Sequence, residues 1–359
     1  MQQQASEYSF VEMRPTPCHT DLDSDGMLMD EAGHLIFKPC TDDEIAFYET
    51  CCSSHHELLE HIPAFIGTMS RSTPEQKSAL LNQDPMSISA TLQYQEGSAE
   101  AAVLAERDAP AESLDGHGQQ RSRAIHGKRL DTSKYLVLEN IAGNYKKPNV
   151  LDIKLGARLW ADDAPTEKRA RLNKVAEETT SKELGFRVAG MRTWNPAKNQ
   201  YEIFDKWYGR RLTTDTVGDA IQSFLKMEED LTLTAAERRQ IITQRFCEDL
   251  EDMLRILERL EIRMYSSSVL FVYEGDADAL EAALEQETAL MEKYAEDHNG
   301  SETNDADGAD DDDDEEPTQP GVCTVKLIDF AHAAWTPNQG PDLNVLQGFK
   351  NVLKILKQQ

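Results

Sequence analysis

Between Pro148 and Gly156 the chain reads Pro-Asn-Val-Leu-Asp-Ile-Lys-Leu-Gly, and no other stretch restricts its fold as tightly. The centre, Val150 to Leu155, alternates with the period of a strand. On an extended backbone Val150, Asp152 and Lys154 share one face, while Leu151, Ile153 and Leu155 take the other and require a core beneath them. A core-anchored strand that projects a carboxylate beside an ammonium suits a charged ligand. An edge strand carrying an ion pair on its wet face is the other reading of the same pattern. Which one applies depends on the partners supplied by the rest of the chain.

With 359 residues, 39% of them hydrophobic and 28% charged, the chain is of globular composition and long enough for one large or two modest domains. No apolar run reaches transmembrane length and the start lacks a signal-peptide core, so no membrane span is expected. Cysteines 18, 40, 51, 52, 247 and 323 form no CxxC pair and no zinc spacing. They read as reduced thiols of a nuclear or cytoplasmic protein. The net charge of −28 argues against direct nucleic-acid binding. Glu302 to Glu316 alone holds ten acids and no base. A protein this acidic that handles an anion must gather its lysines and arginines locally.

In chain order, residues 1–26 read as a flexible arm. Met27 to Lys38 reads as a hairpin with Gly33 in its turn, Lys38 ending the second strand and Pro39 stopping the pairing. Asp42 or Asp43 is placed to cap a helix that opens with Glu44 and runs to about His61. From Gly67 to Arg129 only Ile88–Tyr94 and Ala101–Ala105 suggest order, and about 95–128 reads as a disordered insertion. Tyr135–Ile141 is a buried strand that runs into a connector. Downstream of Gly156 a helix through Glu167–Lys174 stacks Lys168, Arg171 and Lys174 on adjoining turns. Strands are expected over Phe186–Trp194 and Tyr201–Tyr208, followed by a second basic cluster at Gly209-Arg-Arg211. The bases thus gather just after the Asp-x-Lys pair. Thr214 and Thr234 should cap helices, the second carrying an apolar stripe from Ile241 to Leu260 and ending near Tyr265. Val269–Tyr273 is a strand and Ala277–Ala295 a helix. The acidic loop, about 299–320, is too charged to fold. Val322–Phe330 is a buried strand reaching Asp329, and Pro341–Lys357 is a closing helix with Leu343 in its apolar stripe.

An aspartate where a hydrophobic strand runs out, as in Leu327-Ile-Asp329-Phe, suits a Mg²⁺ ligand; capping the next turn is its other reading. Lys38 on a strand, Glu44 on the next helix, a connector, Asp152 with Lys154, and a late Asp329 follow the order of a kinase. GxGxxG, GxxxxGK[ST] and HRDxxxxN are all missing, which excludes a typical protein kinase and a P-loop NTPase. Ser266, Ser267 and Ser268 are either phosphate donors or a plain helix-to-strand link, and His332 alone reads as structural.

Three ordered motifs then resemble one family. Pro148-x-x-x-Asp152-x-Lys154-x-Gly156 is similar to the PxxxDxKxG signature of the inositol polyphosphate kinases. Ser266-Ser-Ser-Val-Leu270 is similar to their SSSLL motif, with Val269 replacing a leucine, and Ile328-Asp-Phe-Ala-His332 to their IDFAH motif. Similarity extends to Leu184–Arg192 and Tyr208-Gly-Arg210, and spans about residue 27 to the end, outside the insertion and the acidic run.

The resemblance implies an α/β (α+β), two-lobed kinase fold, with a small N-lobe sheet and helix over 27–140 and a larger C-lobe over 141–359. It implies an ATP- and Mg²⁺-dependent kinase, of the compact fungal multikinase branch by length. That enzyme would phosphorylate Ins(1,4,5)P3 and InsP4 toward InsP5. A hexakisphosphate kinase, or a non-catalytic nuclear scaffold using the acidic run, are the alternatives. Lys38, steadied by Glu44, and Ser267 would meet ATP phosphates, and Glu139 and Ile141 would frame the adenine hinge. Asp152 would position or deprotonate the attacking hydroxyl, Lys154 would neutralise phosphate charge, and Asp329 would hold the metal. Lys154, Lys168, Arg171, Arg192, Lys206 and His332 would bind the inositol phosphate. A monomer is expected, in nucleus and cytoplasm, with transcription factors as partners of the acidic run.

Overall fold

The computed structural model describes residues 26–70, 132–227, 233–299 and 321–358, together with the backbone of Arg14–Pro15. The chain divides into two compact units. The described part of one falls within Asp23–Ile45 and Phe65–Asn140, and that of the other within Ala46–Ala64 and Ile141–Gln359, apart from the short β1 below.

The smaller unit is an antiparallel sheet in the order β1-β2-β3-β5-β4. Its strands are β1 (Arg14–Pro15), β2 (Leu28–Met29), β3 (Leu35–Pro39), β4 (Phe65–Ser70) and β5 (Lys134–Glu139). The β2–β3 hairpin forms as its sequence dictates. Asp30 accepts a hydrogen bond from Leu35 N at 2.8 Å, and Gly33 takes a left-handed φ of +84°. Phe37, Tyr135 and Val137 form the core of this sheet. Of the expected arm, Arg14–Pro15 pairs with β2, and its remainder up to residue 25 lies outside the described residues. So do Ile88–Tyr94, Ala101–Ala105, the 95–128 segment and the 300–320 stretch.

Three local expectations change here. Pro39 stays in the ladder opposite Tyr135 and Cys40 N still reaches Lys134 O at 3.1 Å, because a proline at a strand end sacrifices one donor without breaking the register. Helix α1 (Asp42–Ser54) is capped by Thr41, whose hydroxyl accepts from Glu44 N at 3.2 Å, rather than by either aspartate. It gives way to a 3₁₀ turn over His56–His61. Phe65–Ser70 forms β4, a strand that its central Gly67 disguised. Gly67 sits beside a register shift and carries no side chain to pack.

The larger unit is built on an antiparallel sheet in the order β11-β10-β6-β7-β8. Its strands are β6 (Pro148–Leu155), β7 (Phe186–Asn195), β8 (Gln200–Phe204), β10 (Ser268–Glu274) and β11 (Cys323–Ile328). A small ribbon pairs β9 (Ile262–Met264) with β12 (Ala333–Trp335). The strand that opens the sequence argument is therefore central. An edge-strand ion pair is excluded, since β10 and β7 flank β6 on both sides.

Helices α2 (Thr166–Glu177), α3 (Ser181–Leu184), α4 (Lys206–Arg211), α5 (Val217–Phe224), α6 (Ala235–Leu257), α7 (Ala277–Asn299) and α8 (Leu343–Lys357) complete this unit. Thr234 and Glu237 form the full capping box that starts α6. Its stripe of Ile242, Phe246, Leu250, Met253 and Leu257 is buried, and Phe246 meets Phe224, Phe271 and Tyr273 edge-on or stacked. Truncating Phe246 to alanine should cost about 3–5 kcal/mol.

The remaining differences have local causes. The strand expected to Tyr208 stops at Phe204, because Asp205 accepts from Tyr208 N at 2.9 Å and so caps α4. Helix α5 begins at Val217 and ends at Phe224, with Thr213 and Thr216 bonded to each other ahead of it. Helix α6 ends at Leu257, and the stretch before Tyr265 is strand β9. Helix α8 is capped by Asp342, which leaves Leu343 outside at 74% exposure while Val345, Phe349 and Val352 face the core.

Candidate active site

Within the larger sheet, directly paired residues of antiparallel strands carry their side chains on one face. One row across the three central strands is Ser268, Lys154 and Arg187; the next is Leu270, Asp152 and Gly190. The face is that of Asp152, as alternation requires, but the opposite face is equally dry: Leu151, Ile153 and Leu155 are all buried. An extra residue, Ala189, bulges from β7 where Asp152 gives way to Ile153. Beyond β6, Gly156 turns the chain at φ +90°, where a side chain would strike Asn344. Asn344 holds that turn by accepting from Ala157 N and Arg158 N, both at 2.8 Å.

Asp152 is 9% exposed, and its Oδ1 has no hydrogen-bond partner among the described residues. The Ser267 hydroxyl is buried and likewise has no partner among the described residues, whereas the buried Ser268 hydroxyl lies close enough to the Asp152 carboxyl to hold its pKa down. Burial pushes the Asp152 carboxyl up to about 6, against the pull of Lys154 and with a further push from Asp329. Lys154 Nζ lies 3.8 Å from Asp329 Oδ2, too far for a tight hydrogen bond, and both groups remain partly open to solvent. Asp329 follows β11 in a left-handed conformation, φ +67°, that a short polar side chain tolerates better than a bulky one. Phe330, the next residue, stacks on Phe47 at 4.2 Å between centroids and fixes that turn.

Ser266 also adopts a positive φ, +58°, and donates to Leu159 O at 2.8 Å, while Ser267 O accepts from Leu155 N at 2.9 Å. The serines therefore hold the end of β6 through their backbone and the Ser266 hydroxyl, and the Ser267 hydroxyl is left without a partner among the described residues.

The expected acceptor-binding residues separate. Lys168 on α2 reaches His332, Nζ to Nε2, at 3.1 Å, and His332 O accepts from Tyr265 N. Arg171 stands exposed on the following turn of α2. Arg192 is 7% exposed; its guanidinium lies over the Tyr201 ring at 4.4 Å and donates to Pro148 O at 3.4 Å. It occupies the row of Val150, one pleat along from Asp152. Lys206 is the first residue of α4. In the hinge segment Ile141 is buried with Ala142, Val150 and Val272.

In the smaller unit, Glu139 ends β5 opposite Leu35. Lys38 Nζ meets Glu44 Oε1 at 2.7 Å, and Glu44 is only 1% exposed. This pair is tight and its carboxylate is desolvated, while Lys38 stays as open as Lys154 at 21%.

Two further arginines stand beside the site: Arg187, which the spacing does not single out, and Arg210 of the basic cluster at Gly209-Arg-Arg211, to which it assigns no individual role. Arg187 is paired with Lys154 and feels the Asp152 charge, and Arg210 on α4 lies near it. Alternation along β7 places Arg187 on one of two faces; only the register against β6, which no local pattern reveals, places it opposite Lys154.

Comparisons with known proteins show the family. Residues 135–357 match the inositol polyphosphate kinase family. The inositol polyphosphate multikinase of Saccharomyces cerevisiae is 30% identical, over 94% of this chain and 96% of its own. That of Schizosaccharomyces pombe is 27% identical over 91% of each. Human inositol hexakisphosphate kinase 1 is 31% identical over 68% of this chain but only 57% of its own length. Among solved structures, the S. cerevisiae inositol phosphate multikinase in complex with ADP and Mn²⁺ has a TM-score of 0.58 at 27% identity, covering 91% of this chain and 99% of that one. The motifs, the α/β architecture and the full-length match converge: this chain belongs to the inositol polyphosphate kinase family and is a kinase.

Proposed function

We propose that the chain is an ATP-dependent inositol polyphosphate multikinase that phosphorylates Ins(1,4,5)P3 and the tetrakisphosphates toward InsP5. The observation that carries the chemistry is the buried Asp152, with a free carboxylate oxygen and a pKa of about 6, set beside Lys154. At neutral pH such a carboxylate is ionised yet basic enough to accept the proton of an attacking hydroxyl. Lys154 neutralises charge on the transferring phosphoryl group. Lys38, steadied by Glu44, and the hydroxyl of Ser267 take the nucleotide phosphates, and Glu139 to Ile141 the adenine. Lys168, Arg171, Arg192, Lys206 and His332 serve the phosphates of the acceptor.

The residues present fit a divalent cation. Asp329 offers a carboxylate that is 39% exposed, and among the described residues no group of three or more His, Cys, Asp or Glu side chains is arranged to hold a metal ion by itself. A single protein carboxylate is the Mg²⁺ pattern in which phosphates and water complete the shell. When bound, the cation neutralises phosphate charge.

The multikinase assignment is supported by coverage. The fungal multikinases match over more than nine-tenths of their length, human hexakisphosphate kinase 1 over little more than half of its own. Chromatography of products from ATP and Ins(1,4,5)P3 tests it: InsP4 and InsP5 should accumulate. Product from InsP6 as sole acceptor, with none from InsP3, would reassign the chain to pyrophosphate synthesis. We also place the enzyme in nucleus and cytoplasm as a monomer, with Glu302–Glu316 binding basic surfaces of transcription factors. No described helix is long and apolar enough to cross a membrane. Deleting 305–316 should leave turnover within about twofold and abolish that partner binding, since a run of like charges contributes little to a fold.

A further inference from the structure

Arg187 and Arg210 stand out from the other cations around Asp152. Arg187 lies in the row of Lys154 on the Asp152 face, and Nη1 donates to Ser181 Oγ at 3.2 Å, a neutral partner. Arg210 is brought alongside by the packing of α4 on β7. Gly209 sits so close to Val188 O that any side chain there would collide with it, and this contact seats the next residue. Arg210 is half-buried and covers the Trp207 ring at 4.8 Å.

The two guanidiniums repel. Burial first, then the nearby Arg210 charge, lowers Arg187 to about 10, and Asp152 only partly offsets them. Neither arginine has a carboxylate within ion-pair distance among the described residues. Most arginines and lysines that the structure ion-pairs lie on the outer surface, in a chain with 65 acids to 37 bases. Two neighbouring guanidiniums, one largely and one half-buried, with only the Asp152 carboxylate to offset them and no ion pair among the described residues, leave positive charge to be met in so acidic a protein. A phosphate monoester meets it, because its oxygens match the planar fork of each guanidinium.

We infer that Arg187 and Arg210 together form a phosphate subsite that holds one phosphate of the inositol polyphosphate acceptor beside Asp152. The inference rests on the kinase reading above and adds two residues to its acceptor side. By fixing a phosphate next to the row of Lys154, the pair sets which hydroxyl of the ring is presented to the carboxylate, so it governs specificity as well as affinity. Arg187, on β7 opposite Lys154, is its sheet member and Arg210, on α4, its helix member.

The test uses the full chain with R187Q, R187K, R210Q and the R187Q/R210Q double variant. At saturating ATP each glutamine variant should raise KM for Ins(1,4,5)P3 about tenfold or more, the scale of one charge-assisted contact, with KM for ATP unchanged. R187K should recover part of the loss, and KM should depend less steeply on salt in the double variant. Calorimetric titration with Ins(1,4,5)P3 in the absence of ATP reads the pair independently of turnover. Binding by the native chain that the double variant loses supports the subsite even if turnover with InsP3 fails, a result that would count against the kinase reading alone. Equal binding by both proteins, no binding by either, or a fall in kcat and Tm at constant acceptor KM overturns it. R210Q, at a half-buried position, keeps the test decisive if the R187 variants do not fold.

Discussion

The two units treat charge in opposite ways. In the smaller one, Lys38 and Glu44 close on each other at 2.7 Å with the carboxylate almost fully buried. In the larger one, Lys154 and Asp329 stand 3.8 Å apart and partly open, while Asp152 Oδ1 and the Ser267 hydroxyl are buried with no partner among the described residues. A closed pair fixes a side chain in one place; an under-satisfied cluster retains interaction energy for a ligand. The first suits a positioning task, the second the reaction itself. Substitutions should therefore act differently in the two units.

The largest effect is expected at Asp152. Asp152→Asn keeps the shape but removes the proton acceptor, and kcat should fall by about 10²–10⁴ in a steady-state assay with ATP and InsP3. Lys154→Met comes next, with a loss of about 10²-fold in kcat, since it deletes one charge aimed at the transferring group. At the closed pair the change should be milder. Glu44→Gln preserves a hydrogen bond to Lys38, so kcat/KM for ATP should drop about tenfold, or about 1.4 kcal/mol, with kcat for bound substrate nearly kept. A drop at Glu44 as deep as at Asp152 would erase the distinction between the units. Smallest is the pH effect: kcat/KM should rise through a single limb near pH 6 and level off above it, as Asp152 ionises.

Much of this was legible in the sequence, for reasons that differ by residue. Asp152 and Lys154 sit on a strand whose apolar alternation fixes which face each side chain takes, so local pattern suffices. Asp329 was marked by the end of an apolar run, but the strand stops at Ile328 and a left-handed turn, not alternation, sets its direction. The hairpin at Gly33 and the capping box at Thr234 are likewise local chemistry. What failed was what depends on other strands. That β6 is central rather than an edge follows from pairing with β10 and β7, more than 100 and about 40 residues away. Arg187 joins the site through that same register. Phe65–Ser70 escaped because Gly67 interrupts its alternation, and Asp205 turned an expected strand into α4 through a single cap.

The buried carboxylate also makes a prediction about stability. Its folded pKa, about 6, lies above the ordinary 3.8, so the folded state binds the proton more tightly than the unfolded one. Ionising it as pH rises through that window therefore costs stability, and the full cost, about 3 kcal/mol, is present above pH 6. Residues selected for reaction rather than folding carry this kind of cost.

The most direct test of the account measures both properties on one pair of proteins. At pH 8, native chain and Asp152→Asn are compared for phosphoryl transfer from ATP to Ins(1,4,5)P3 and for thermal unfolding without ligands. The native chain should turn over and the variant should not, while the variant's Tm is equal or higher, with the Tm difference vanishing below about pH 4. Full activity in the variant, or a loss of activity accompanied by a lower Tm, would contradict the assignment of Asp152 as the reaction centre.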